Sequence, residues 1–151
     1  MSFIGIISIP IVLASVAALV LHARVMRKRA PVDTQMEELE DQLRQRLEII
    51  YTISAPGTVL YELCNGCIDL EFTRILESMP DINDALEAEK KQCESQTVQE
   101  LDSNADIIQT TIQNLNQAVD EYNNFIQARL PDVLMARVLG LENVEPVNLL
   151  M

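Results

Sequence analysis

The chain has 151 residues, 48% of them hydrophobic, only 4% aromatic and none Trp, with a formal net charge of −12 at pH 7. That length allows one compact domain plus an anchor, and so few aromatic rings argue against a stacking platform for sugars or bases. From Ala30 onward seven basic residues stand against twenty-three acidic ones, and a domain that acidic repels phosphate backbones, which makes nucleic acid a poor partner.

Residues 1–21 carry no charged side chain, and Phe3–Leu21 is almost wholly apolar, about the length a helix needs to cross roughly 30 Å of hydrocarbon. The Ile, Val, Leu and Phe residues there outweigh Pro10 and the serines on an insertion scale. A secretory signal peptide is the rival reading. It calls for a basic first segment, absent here, and for small residues at both positions before the cut, whereas Leu21-His22-Ala23 offers one. An uncleaved anchor is therefore expected. Arg24, Arg27, Lys28 and Arg29 follow the span directly, so the positive-inside rule puts the C-terminal side in the cytoplasm and the cluster against anionic lipid. His22 reads as a headgroup contact.

Pro31 is expected to end the juxtamembrane segment, with Thr34-Gln35-Met36-Glu37 opening a helix through a capping box. Met36, Leu39, Leu43, Leu47 and Ile50 then line one face. Arg44 and Arg46 are the only basic residues there, among Glu37, Glu38, Glu40, Asp41 and Glu48. Pro56-Gly57 stops this helix near Ser54. Thr58–Ser78 reads as a second helix whose stripe slips in phase near Gly66, where a distortion is expected. Pro80-Asp81 marks the next break, and Ile82, Ala85 and Leu86 begin a third helix through the polar stretch Glu87–Gln96.

The core helix is Val98–Ile126. Val98, Leu101, Ala105, Ile108, Ile112, Leu115, Val119, Tyr122 and Ile126 recur in steps of three and four, one seam of an α-helix. Thr111, Ala118 and Phe125 widen it. Gln109, Asn116 and Asn123 stand where a two-stranded zipper would carry Glu and Lys, so the helix belongs to an intramolecular bundle. Leu130-Pro131-Asp132 ends it. Val133–Leu141 forms a short apolar helix closed by Gly140, docked either on the bundle, which is favoured, or on the membrane interface. The tail beyond Glu142 is expected to be loose apart from Leu149, Leu150 and Met151.

Cys64-Asn65-Gly66-Cys67 is the one motif with redox or metal potential. A structural zinc site needs four ligands, and Cys93 with the distant His22 does not complete one. A thioredoxin-type motif needs a preceding strand, and no strand pattern exists here. The two cysteines read as core residues in a reducing compartment. The acidic clusters Glu37-Glu38, Asp81–Asp84 and Glu87–Glu89 lack the calcium-loop pattern and read as solvated faces. With no Gly-rich phosphate loop and no Ser/His/Asp set, no catalytic, cofactor-binding or metal-ligating residue is assigned.

Leu115-Asn116-Gln117-Ala118-Val119-Asp120-Glu121-Tyr122-Asn123 resembles the repeated Tyr-Asn element of LemA-family proteins. The likeness extends from Glu100-Leu101 through Leu130-Pro131 and into Val133–Leu141, and Gln42-Leu43-Arg44-Gln45-Arg46 through Ile49-Ile50 is similar to the family's QLKRR-x-DLI element. Leu115 replaces the first Tyr, Leu130 a Phe and Arg137 a Gly, and Tyr51 stands where the family has Pro. The resemblance implies a bacterial membrane protein with a cytoplasmic up-and-down helical bundle and no established enzymatic activity. In such a fold Asn116 and Asn123 should hydrogen-bond to a neighbouring helix.

The expected architecture is all-α, a transmembrane helix followed by an antiparallel LemA-like bundle: anchor 1–23, basic linker 24–33, bundle 34–145 and tail 146–151. The expected role is a non-enzymatic scaffold in the bacterial inner membrane, N-terminus out, binding lipid through Phe3–Leu21 and Arg24–Arg29. An unidentified protein partner and homo-oligomers are compatible with it. The alternative is a thiol-based redox sensor or metal binder using Cys64, Cys67 and Cys93.

Overall fold

The structure, a computed structural model, describes residues 3–90 and 95–149, with side chains from Val12 onward. It is a helical bundle. The elements are α1 (Phe3–Ile53), α2 (Val59–Cys67), α3 (Phe72–Glu89), α4 (Ser95–Ala128) and α5 (Leu130–Val138), with no strand among the described residues. By their contacts the residues group into two compact units: Met1–Asp33 with Gln117–Pro146, and Thr34–Asn116 with Val147–Met151. Segment 24–33, expected as a linker, is part of the continuous helix α1, and the first unit also includes the end of α4, α5 and part of the tail.

Two proline expectations are corrected. α1 runs unbroken through Pro31, and α3 runs through Pro80. A proline inside a helix forfeits one hydrogen bond and crowds the preceding turn, at about 3 kcal/mol or more. Both rings point to solvent, while Val25 and Val32 in α1 and Met79 and Ile82 in α3 are fully buried. Each such side chain contributes about 1.5–3 kcal/mol on burial, enough to hold the helix together across the proline. Arg29 further spans the Pro31 turn by donating to Asp33 at 2.7 Å, and Thr34 opens no new helix.

Other breaks fall where turn chemistry puts them. α1 ends at Ile53, and Gly57 takes the positive φ of 88° that the following turn demands. Thr58 caps α2, its hydroxyl accepting from the Tyr61 amide at 3.2 Å. The phase slip near Gly66 is resolved by a full break, with α2 stopping at Cys67 and α3 starting at Phe72. Gly140, at φ 66°, closes α5.

In the first unit α1 and α4 are antiparallel: Arg24 lies over Phe125, Lys28 faces Glu121 and Arg29 lies over Tyr122. Val25, Val32, Val119, Tyr122, Ile126 and Ala136 form its core. In the second unit Leu39, Leu43, Leu47 and Ile50 of α1 are buried along with Ile75, Met79, Ile82 and Leu86 of α3 and Leu101, Ile108, Ile112 and Leu115 of α4. Seven of the nine expected seam residues of α4 are buried; Val98 and Ala105, near its start, are half-buried. Among the described residues no helix is long and apolar enough to cross a membrane. Of the expected span Phe3–Leu21, the side chains of 3–11 lie outside those described.

Candidate functional site

The basic cluster is partly consumed within the first unit. Arg24 Nη2 stands 3.5 Å from Asp132 Oδ2, and its guanidinium lies 5.7 Å from the centre of the Phe125 ring. Asp132 occupies the first turn of α5, where the helix dipole favours a carboxylate, and its side chain is wholly buried. Neither of its oxygens has a hydrogen-bond partner among the described residues, so Arg24 is the charge that balances it. Arg29 lies 5.3 Å from the Tyr122 ring centre. Burial opposes the Arg29 charge, but the hydrogen bond and charge of Asp33, aided by Tyr122, hold its pKa above the ordinary value. Lys28 only approaches Glu121, at 4.0 Å, with both side chains exposed, which contributes little. Arg27 is exposed and has no partner among the described residues.

The second unit holds Arg44 and Arg46 of α1 in separate roles. Arg44 pairs with Glu40 at 2.7 Å and donates to the carbonyls of Ile68 and Leu70, at 3.2 and 3.1 Å. It thereby satisfies carbonyls that the end of α2 leaves open. Arg46 is only 5% exposed and donates to the Leu101 carbonyl at 3.0 Å and to the amide oxygens of Asn104 and Asn83 at 3.4 and 3.3 Å. Its Nε has no partner among the described residues. Burial pushes its pKa below the usual arginine value, and the more distant charges of Asp102 and Glu87 offset this only in part. A buried cation with neutral partners is a weak source of stability, because the desolvation of its charge offsets what the hydrogen bonds return.

Cys64 and Cys67 are reduced, buried and on one face of α2. Burial first, then the neighbouring Cys67 and Glu89, pushes the Cys64 thiol up to about 11. Such a thiol is protonated at neutral pH and is a poor nucleophile or metal ligand. Cys93 lies outside the described residues. Among those residues no group of His, Cys, Asp and Glu is arranged to hold a metal ion.

Asn116 and Asn123 do not reach a neighbouring helix. Each instead grips the backbone of the tail. Asn116 exchanges two hydrogen bonds with Val147, both 2.8 Å, and Asn123 exchanges two with Val144, at 2.8 and 3.0 Å. Leu149 is buried, as expected, while Leu150 and Met151 lie outside the described residues. A cavity of about 420 Å³ in the first unit is lined by Ile126, Val133, Ala136 and Leu141 together with Gln127, Arg137, Glu142 and Asn143, without a convergent catalytic set.

Sequence reasoning missed Arg46, Asn104 and Asp132 as buried polar positions. A signal existed for the first: Val25, Val32, Leu39 and Arg46 are spaced by seven, so Arg46 falls on the seam of α1. Asn104 is likewise seven before the buried Thr111. Asp132, read only as part of a helix stop, carried none. No protein-family model matches the chain, and neither a curated protein nor a solved structure matches it.

Proposed function

We propose that this protein is a single-span, membrane-anchored scaffold of LemA type, without enzymatic activity, whose acidic helical bundle meets protein partners on the cytoplasmic face of a bacterial inner membrane. The observation that carries the anchor is the state of α1 before the basic cluster. Every side chain from Val12 to Val20 is exposed, with Val12 at 59%, Leu13 at 64%, Val16 at 53%, Leu19 at 68% and Val20 at 55%. A helix apolar on all sides, and covered by nothing, is stable only in an apolar surrounding. The basic residues that follow it favour a cytoplasmic C-terminal side. The family reading rests on the Leu115–Asn123 and Gln42–Arg46 elements, and the buried unreactive Cys64 speaks against thiol chemistry.

The test uses the full chain in bacterial cells. It should stay in the membrane pellet through alkaline carbonate extraction. A cysteine engineered at the exposed Glu87 should resist a membrane-impermeant thiol reagent until the cells are lysed, and neutralising Arg24, Arg27, Lys28 and Arg29 together should scramble that protection. Release by carbonate sinks the anchor, and labelling before lysis reverses the orientation.

A further inference from the structure

We infer that α5 is a second lipid contact, lying on the surface of an anionic bilayer with Leu130, Leu134 and Val138 turned into the boundary between headgroups and acyl chains. The inference rests on the anchored reading above. Leu130, Leu134 and Val138 follow the i, i+4, i+8 rule for a common helix face, and they are 75%, 54% and 80% exposed. The opposite face is the docked one, with Asp132 and Ala136 buried. Docking on the bundle therefore accounts for half of α5 and leaves an apolar stripe uncovered.

The height of α5 identifies the occupant. Asp132 is held 3.5 Å from Arg24, which stands three residues beyond Leu21, the end of the apolar stretch. Three helical residues rise about 4.5 Å. With the stretch in hydrocarbon, the start of α5 falls in the headgroup layer, where interfacial helices bury their apolar face about 5–10 Å deep. The charges agree. Arg129 and Arg137 are exposed, and the single carboxylate of α5, Asp132, is withdrawn to Arg24. A chain of net charge −12 thus shows only cations along this helix, and basic residues beside an anionic surface are attracted to it.

The chain contains no Trp, so single reporters can be placed by substitution. Leu13→Trp reports the anchor and Leu134→Trp reports α5. Ile107→Trp is a control at an exposed position of α4, and Leu13, Leu134 and Ile107 are all exposed, so no core packing is disturbed. The full-length protein is reconstituted in phosphatidylglycerol–phosphatidylcholine vesicles containing phospholipids brominated at shallow or deep acyl positions. The expected result is deep quenching of Leu13→Trp, at least twofold shallow quenching of Leu134→Trp, and none of Ile107→Trp. Adding Arg129→Gln and Arg137→Gln should at least halve the Leu134→Trp effect. Quenching of Leu13→Trp alone overturns the α5 contact and leaves the anchor standing. Quenching of Leu134→Trp alone removes the anchor but keeps α5 at the surface, and quenching of neither overturns both. If Leu134→Trp is blue-shifted without lipid quenching and cross-links between copies through this face, the occupant is a second chain and the inference fails.

Discussion

Asn123 and Val144 exchange two hydrogen bonds, the side-chain Nδ2 donating to the Val144 carbonyl at 2.8 Å and the Val144 N–H donating to Oδ1 at 3.0 Å. A planar amide thereby acts toward the tail as a neighbouring strand does, and Asn116 repeats the arrangement at Val147.

The tail should therefore detach when the amides are removed. Asn116→Ala and Asn123→Ala should each lower stability by about 1–3 kcal/mol, two hydrogen bonds at about 0.5–1.5 each. Hydrogen exchange at the Val144 and Val147 amides measures the attachment directly. Unchanged protection in the double variant means that the buried Leu149, not the asparagines, holds the tail.

Leu115 is 1% exposed at the middle of the α4 seam, whereas Ile107 on the same helix is 50% exposed. Leu115→Ala should cost about 2–5 kcal/mol, by lost transfer energy plus the cavity. Ile107→Ala should stay within about 0.5 kcal/mol. Urea unfolding of both variants checks the burial pattern, and equal losses would show that the seam is misassigned.

Arg46 occupies a seam position with no carboxylate in contact. Arg46→Met should leave stability within about 1 kcal/mol or raise it, since an apolar side chain of similar length replaces a desolvated cation. Asn104→Leu, which leaves the guanidinium in place with one partner fewer, should cost about 1–3 kcal/mol. The order of the two midpoints in denaturant decides the matter.

Cys64 titrates near 11 in the fold against an ordinary value of 9.0. Between these values the folded state holds a proton that the unfolded state has released, so this contribution is complete below pH 9 and declines as pH rises toward 11. Cys64→Ala should remove that share of the alkaline loss. At pH 8 the native thiol should react with Ellman's reagent far more slowly than the unfolded chain does, and comparable rates would mean that α2 opens readily.

Local chemistry made much of this molecule readable from its residues. The three-and-four spacing of Leu101 through Ile126 marks the buried face of α4, and the stops at Pro56-Gly57, Leu130-Pro131 and Gly140 follow from backbone restrictions within a few residues. The placement of Cys64 and Cys67 inside α2 belongs here too. Distant partners decided the rest. Pro31 and Pro80 carry the same local penalty as a helix-ending proline, and only the burial of Val25, Val32, Met79 and Ile82 keeps those helices whole. Sequence reading assigns Arg24 to lipid, leaves Arg46 without a partner and sends Asn116 and Asn123 to a neighbouring helix rather than to the tail. Asp132, Leu101, Val147 and Val144, which claim them, are brought within hydrogen-bonding or ion-pair distance by packing that no local window encodes.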